Sequence, residues 1–258
     1  MTYCLGLLVD DGLLLMADTR TNGGIDNISS YRKLHALSDE PGRELYVAMC
    51  GSLSASQRAL ARLIEPGAGR AQSLGEARSM TEAADLVGEA VRSANKELLE
   101  ALGPDKAKSG CSLLLGGRIG GGRPRLFLVY AEGNHIECQR EIPFLQIGET
   151  KYGRPILDRI LRPSTSLPAA IKVALLSFDS AMRSNLSIAL PIDLIAIPAA
   201  PGLPTVARRI GQNDAYFADL SQRWSATLAE AAGAMPDPAF VPELEPVRAL
   251  SLVAEVRA

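Results

Sequence analysis

Histidine is nearly absent from this chain: His35 and His135 stand alone among 258 residues, too isolated to build a metal site, and both read as satisfied surface or strand side chains. Cysteine is sparse as well. Cys4, Cys50, Cys111 and Cys138 each fall in an apolar, strand-like run with no C-x-x-C pair, the pattern of buried free thiols in a reducing compartment rather than of disulfides or metal ligands. A net charge of −2 gives no reason to expect nucleic acid or an anionic membrane as partner. No run approaches the roughly 18 apolar residues that span a bilayer, and the start lacks the basic segment and small-residue cleavage site of a secretory signal, so a cytoplasmic place is expected. The glycine-rich stretch Gly116–Gly122 lacks the G-x-G-x-x-G order and no P-loop lysine follows it. It reads as a hairpin turn, not a phosphate cradle, and no cofactor is expected.

What is present is an ordinary globular composition, 47% hydrophobic and 22% charged, without a Pro/Gly/Ser linker or an internal repeat. One domain over 1–258 is expected, with a Pro-rich C-terminal extension from about Met235. Strands at about 2–9 and 13–18 make a hairpin over Asp10-Asp11-Gly12; Ser30–Ser38 and Glu44–Cys50 make another over Asp39-Glu40-Pro41-Gly42. Ser52 or Ser54 caps a helix to about Glu65 with Leu60, Leu63 and Ile64 on one face, stopped by Pro66-Gly67. A second helix over Thr81–Leu102 stripes Ala84, Val87, Val91, Ala94 and Leu98, and ends at Gly103-Pro104. Strands Cys111–Leu115, Arg125–Tyr130 and Ile136–Ile147 follow, then helices at about 151–161 and 168–185, a strand Ile192–Ile197 and a helix Asn213–Ala232. Strands, two helices, strands, two helices is not a βαβ alternation. The order predicts an α+β fold, a four-layer αββα sandwich.

The chemistry concentrates at the start. Removal of Met1 leaves a free threonine, Thr2, whose hydroxyl lies beside its own α-amine. With a pKa of about 7.7–8.0 when unperturbed, that amine can take the hydroxyl's proton near neutral pH, so no histidine is needed. Asp18 directly follows the apolar run Leu13-Leu14-Leu15-Met16-Ala17, which places a carboxylate near the core, where it needs a partner. Lys33 is the candidate, expected on a third strand and on one face with Tyr31 and His35. Its charge lowers the cost of ionising the threonine hydroxyl.

Thr2-Tyr3-Cys4, Ala17-Asp18-Thr19-Arg20, Tyr31-Arg32-Lys33 and Cys50-Gly51-Ser52 resemble the motifs of proteasome β-type subunits and of the HslV-type protease. The pattern is most similar to Anbu, the bacterial ancestral β-subunit family: its start resembles Met-Thr-Tyr-Cys, its middle Asp18-Thr19-Arg20-Thr21-Asn22 with Asn27-Ile28-Ser29, and a further signature resembles Ser177 to Ser187. The resemblance covers about residues 2–200. It implies an N-terminal nucleophile hydrolase with Thr2 as nucleophile, Asp18 and Lys33 tuning it, the Gly51 N–H as oxyanion donor, and Arg20 supporting the surrounding loops. Three departures accompany it. The Gly-Ser-Gly of β-subunits reads Gly148-Glu149-Thr150 here, the family's aspartate and the serine three residues on read Ser184 and Ser187, and the loop from Asp18 to Lys33 is one residue shorter.

The function expected is a threonine-type peptidase subunit acting on peptides or unfolded chains within a homo-oligomeric ring or spiral, its outer helices offering contact surfaces, with an unfoldase as possible partner. Two alternatives stand beside it: a non-catalytic ring-forming subunit, and an N-terminal nucleophile amidase for a small molecule.

Overall fold

The N-terminal hairpin lies inside its sheet because its two strands are apolar almost throughout. In a computed structural model that describes residues 2–22, 28–40, 42–65, 73–103, 110–200 and 202–239, β1 (Tyr3–Val9) pairs antiparallel with β2 (Gly12–Asp18), and every residue of β2 is buried. The first half continues with a short hairpin, β3 (Arg20–Asn22) and β4 (Ile28–Ser30), then β5 (Leu34–Glu40) and β6 (Arg43–Gly51). Helices α1 (Leu53–Ile64) and α2 (Met80–Leu102) follow. The second half adds β7 (Cys111–Ile119), β8 (Arg125–Val129), β9 (His135–Glu137) and β10 (Phe144–Gly148). Then come α3 (Arg154–Ile160), α4 (Leu167–Ser184), β11 (Ile192–Pro198), β12 (Val206–Ile210) and α5 (Ala215–Gly233).

Two five-stranded antiparallel sheets result, ordered β10-β1-β2-β11-β12 and β5-β6-β7-β8-β9. Between them lies one apolar layer, with Cys4, Leu13, Leu15, Ala17, Ile147 and Ile197 of the first sheet against Leu34, Tyr46, Ala48, Leu114 and Leu126 of the second. The sheets approach closely where side chains are missing: a Cβ at Gly6 would lie 2.7 Å from a Leu126 methyl. The outer face of the second sheet, with Leu45, Val47, Met49, Leu113, Leu115 and Phe127, is covered by α1 and α2. On the outer face of the first sheet α4 packs over β1 and β2, and the Tyr3 ring meets Phe178 with centroids 4.4 Å apart. The expected αββα sandwich is present. Burial of whole Leu, Val and Phe side chains in these layers, each contributing about 1.5–3 kcal/mol, drives their stacking.

Caps act where the sequence places them. Ser52 caps α1 by accepting the Ala55 N–H, and Ser79 caps α2 by accepting the Glu82 N–H at 3.2 Å. The proposed stops Pro66-Gly67 and Pro104 lie outside the described residues.

Four expectations need correction. Tyr31, Arg32 and Lys33 are not strand: β5 begins at Leu34, and Lys33 is buried while Tyr31 is exposed, so they share no face. The cause is local. β4 ends at Ser30, and the Tyr31 N–H turns back to the Thr19 carbonyl at 2.8 Å, so only from the Lys33 carbonyl, which accepts the Met49 N–H at 2.9 Å, does the chain settle against β6. The single strand foreseen over 136–147 is two, β9 in the second sheet and β10 in the first, because a turn at Arg140-Glu141 carries the chain across the interlayer gap. Ile64 faces solvent at the last residue of α1, while Leu63 is buried. Cys138 lies just beyond β9 rather than within a strand. The β3–β4 hairpin and β12 were not foreseen.

Contacts divide the chain into two compact units, residues 1–218 and 219–258. In the second, Arg223 pairs with Asp219 at 2.7 Å one helical turn away. No helix among the described residues is long and apolar enough to cross a membrane.

Candidate active site

Thr2 is half-buried at the mouth of β1, between the ends of β2 and β10. Its peptide link to Tyr3 is held at both poles. The Tyr3 N–H donates to Asp18 Oδ1 at 2.9 Å, and the Thr2 carbonyl accepts the Glu149 N–H at 2.7 Å. Met1 lies outside the described residues.

Asp18, the last residue of β2, is fully buried, and its carboxylate accepts three donors, among them the Tyr3 N–H. Oδ1 also accepts Lys33 Nζ at 3.0 Å, and Oδ2 accepts the Arg20 N–H at 3.1 Å. Burial pushes the carboxyl above its ordinary range, and the Lys33 charge with the Tyr3 and Arg20 N–H groups pulls it partly back. Lys33, 5% exposed, also donates to the Arg20 carbonyl. Lys33 Nζ and the Tyr3 N–H thus share one carboxylate oxygen, which sets the lysine beside the Thr2–Tyr3 peptide. Arg20 keeps the neighbouring loops together: its guanidinium donates to the Leu186 carbonyl at 2.7 Å, tying the end of β2 to the segment after α4.

Gly51 ends β6 two residues before α1, near the positive pole of that helix. With φ +97°, a Cβ there would sit 2.1 Å from the Gly110 carbonyl oxygen, so only glycine fits. The strand it ends, β6, packs against β1 and β10, and burial pushes the thiol of the preceding Cys50 up to about 11. Gly148 in turn crosses directly over Thr2: at φ +82°, a Cβ there would lie 2.1 Å from the Thr2 carbonyl oxygen.

Glu149 is 5% exposed and accepts three donors: the Lys151 N–H at 2.7 Å and the Tyr152 N–H at 3.3 Å on Oε1, and Asn185 Nδ2 at 3.0 Å on Oε2. Burial raises its pKa, but the Lys151 N–H, Asn185 and the Tyr152 N–H outweigh that and hold it below the ordinary value. Ser184 is exposed, whereas Ser187 donates its N–H to Asn185 Oδ1 at 3.0 Å. The structure thus brings Thr2, Asp18, Lys33, Arg20 and Glu149 together, sets Gly51 nearby, and leaves Ser184 outside. Asn185 and Tyr3 were missed by sequence reasoning. The Tyr3 phenol, fully buried, bonds Ser177 at 2.7 Å and Gln146 at 2.8 Å, anchoring the first strand from beneath. The available signals were an asparagine at the first position past a helix and a tyrosine in an otherwise apolar strand.

Two stacked antiparallel sheets with helices on their outer faces, and the N-terminal strand inside one of them, define the class of proteasome subunits, and the family model described as "Proteasome subunit" matches residues 2–190. Among solved structures the chain is 40% identical to the Anbu (Gly-1) mutant from Hyphomicrobium sp. strain MC1, over 92% of this chain and 99% of that one, with a TM-score of 0.83. It is 37% identical to Anbu (ancestral beta-subunit) from Yersinia bercovieri, over 92% and 99%, with a TM-score of 0.80. The helical assembly of the Anbu complex from Pseudomonas aeruginosa gives 37%, 92% and 98%, again with a TM-score of 0.80. No curated protein matches. The chain belongs to the Anbu family of proteasome-type subunits, a membership that fits a hydrolase.

Proposed function

We propose that this chain is a threonine-type peptidase subunit whose nucleophile is Thr2 after removal of Met1. The observation that carries the proposal is the double use of Asp18 Oδ1, which accepts both the Tyr3 N–H and Lys33 Nζ. One buried carboxylate thereby fixes the backbone of the first strand and a cation relative to each other.

On this reading Thr2 Oγ attacks the peptide carbonyl carbon while its proton passes to the Thr2 α-amine. The charge that collects on the carbonyl oxygen is met by the Gly51 N–H. Lys33, held by Asp18, stabilises the developing negative charge on Oγ. The amine then delivers the proton to the departing amine, leaving an ester on Thr2. Water, deprotonated by the same amine, hydrolyses that ester and restores the free hydroxyl. The proposal includes a cytoplasmic place, peptide or unfolded chain as substrate, and a homo-oligomer. The Pseudomonas aeruginosa relative forms a helical assembly, and heterologous packing of one surface against another gives a ring when it closes and a spiral when it does not.

The test is Thr2→Ala. It should abolish peptide hydrolysis and labelling by peptide boronates while leaving folding and particle size by light scattering unchanged. Hydrolysis that survives in the alanine variant refutes the assignment. Assembled wild-type particles inert to every peptide and boronate favour the non-catalytic subunit instead.

A further inference from the structure

The catalytic reading uses the Asp18 side of Thr2 and leaves the other side without a task. There, three donors converge on a buried carboxylate that neither attacks nor protonates anything. Its neighbours explain why it is a glutamate. Asn185 follows the last turn of α4, its N–H still reaching the Ala181 carbonyl at 2.9 Å, and then turns extended at φ −140°. Its Oδ1 accepts the Ser187 N–H. A backbone N–H is only ever a donor, so this bond fixes the amide orientation and directs Nδ2 at Glu149 Oε2. Oε1 faces two further donors, the N–H groups of Lys151 and Tyr152. A side chain surrounded in this way must accept on both oxygens, which a carboxylate does and a carboxamide does not.

The consequence reaches Thr2 through one peptide. The Thr2 carbonyl and the Tyr3 N–H belong to the same plane. Asp18 holds the N–H end and the Glu149 N–H holds the carbonyl end, with Gly148 lying across it. The tilt of that plane sets where the Thr2 amine and hydroxyl point relative to Lys33. Asp18 alone leaves the plane free to rock about one anchor.

We infer that Glu149 and Asn185 form a positioning pair for Thr2, in which the Asn185 amide fixes the Glu149 carboxylate, and the carboxylate fixes the turn that keeps the Glu149 N–H on the Thr2 carbonyl. The pair deepens the proposal above and rests on Thr2 being the nucleophile only for its catalytic meaning. Neither side chain touches the reacting atoms in this scheme. They act through the backbone, from the position where the Gly-Ser-Gly of β-subunits has its serine.

The test is an exchange of the two functional groups. Glu149→Gln turns a donor towards either Asn185 or the Lys151 N–H. Asn185→Asp sets two carboxylates against each other. The double variant Glu149→Gln/Asn185→Asp can re-form each of these bonds and leaves the total charge unchanged. In it the carboxamide oxygen at position 149 accepts the two backbone N–H groups, and its nitrogen donates across to position 185. The carboxylate now at position 185 takes that donor on one oxygen and still accepts the Ser187 N–H on the other. Two readouts on the assembled full-length protein are needed: the rate of Thr2 labelling by a peptide epoxyketone, and amide hydrogen exchange of segment 146–153 by mass spectrometry. Each single variant should label about tenfold to a hundredfold more slowly, the scale set by a misplaced reacting group, and exchange faster. The double variant should return to within about threefold of wild type on both readouts, since matched donors and acceptors are regained. Singles that label and exchange like wild type overturn the inference, as does a double variant no better than the singles. Exchange that follows this pattern in a protein whose wild type never labels upholds the pair and removes the nucleophile. Normal wild-type labelling with exchange indifferent to all three variants does the reverse.

Discussion

The two ends of the Thr2–Tyr3 peptide are held by opposite strategies. At the N–H end the grip is ionic and built from nearby sequence: Asp18 and Lys33 are fifteen residues apart, both buried, and they carry opposite charges. At the carbonyl end the grip is a backbone N–H whose orientation depends on Glu149 and Asn185, from β10's exit and α4's end, with one negative charge satisfied by neutral donors. On the proposed mechanism, charge suits the end where the Thr2 hydroxyl gives up its proton. Neutral donors suit the other end, because they fix geometry without adding a second cation that would compete for the same anion.

Removing one partner from each grip separates the strategies most clearly. Lys33→Ala leaves Asp18 fully buried and unpaired, so it should lower stability by about 3–5 kcal/mol, read by denaturant titration, and abolish hydrolysis; retained hydrolysis would remove the lysine from the mechanism. Next in size is Gly148→Ala. A left-handed φ costs an L-residue about 1–2 kcal/mol, and the new Cβ meets the Thr2 carbonyl oxygen at 2.1 Å, so stability and Thr2 labelling should fall together.

Acid should act on the two carboxylates with opposite sign. Asp18's pKa is raised in the folded state, so its contribution to stability is greatest below its ordinary value of 3.8 and is lost as pH rises through the higher folded value. Glu149's pKa is lowered, so its contribution is present above 4.5 and is lost as pH falls through the lower folded value. The melting difference between wild type and Glu149→Gln should therefore shrink as pH drops below about 4.5. The difference between wild type and Asp18→Asn should move in wild type's favour over the same descent. Parallel trends would mean that the two sites are not electrostatically distinct. The smallest effect belongs to Ser184→Ala: the residue is exposed, and its loss should change stability by less than about 0.5 kcal/mol and leave labelling intact.

The same contrast marks what the sequence could disclose. The Asp18 side was legible because its residues lie in one hairpin and the strand pair after it, where an apolar run ending in a carboxylate announces burial. The layer order was legible for a related reason: strand and helix blocks carry their own periodicity, as in Val87, Val91 and Ala94 of α2, all buried. The Glu149 side was not. A glutamate in a turn and an asparagine past a helix are ordinary in isolation. The packing of α4 over β1, with Tyr3 against Phe178 and Ser177, brings Asn185 to the carboxylate of the residue whose N–H holds the Thr2 carbonyl. Spacing from the family pattern pointed to Ser184 and Ser187; Ser184 is exposed, Ser187 bonds Asn185 through its N–H, and the contact to Glu149 comes from Asn185 between them. The split of 136–147 into β9 and β10 was hidden because alternation along a strand does not say to which sheet it belongs.

The most direct test is intact-mass analysis after exposure to a peptide epoxyketone, run on protein whose first residue is confirmed as Thr2 and on protein with an unprocessed N-terminal extension. The epoxyketone closes a ring only when a free amine and hydroxyl sit on the same residue, so the processed chain should gain one inhibitor mass at Thr2 and the extended chain none, with both still assembled. An adduct on the extended chain, or none on the processed one, would contradict a Thr2 nucleophile served by its own α-amine.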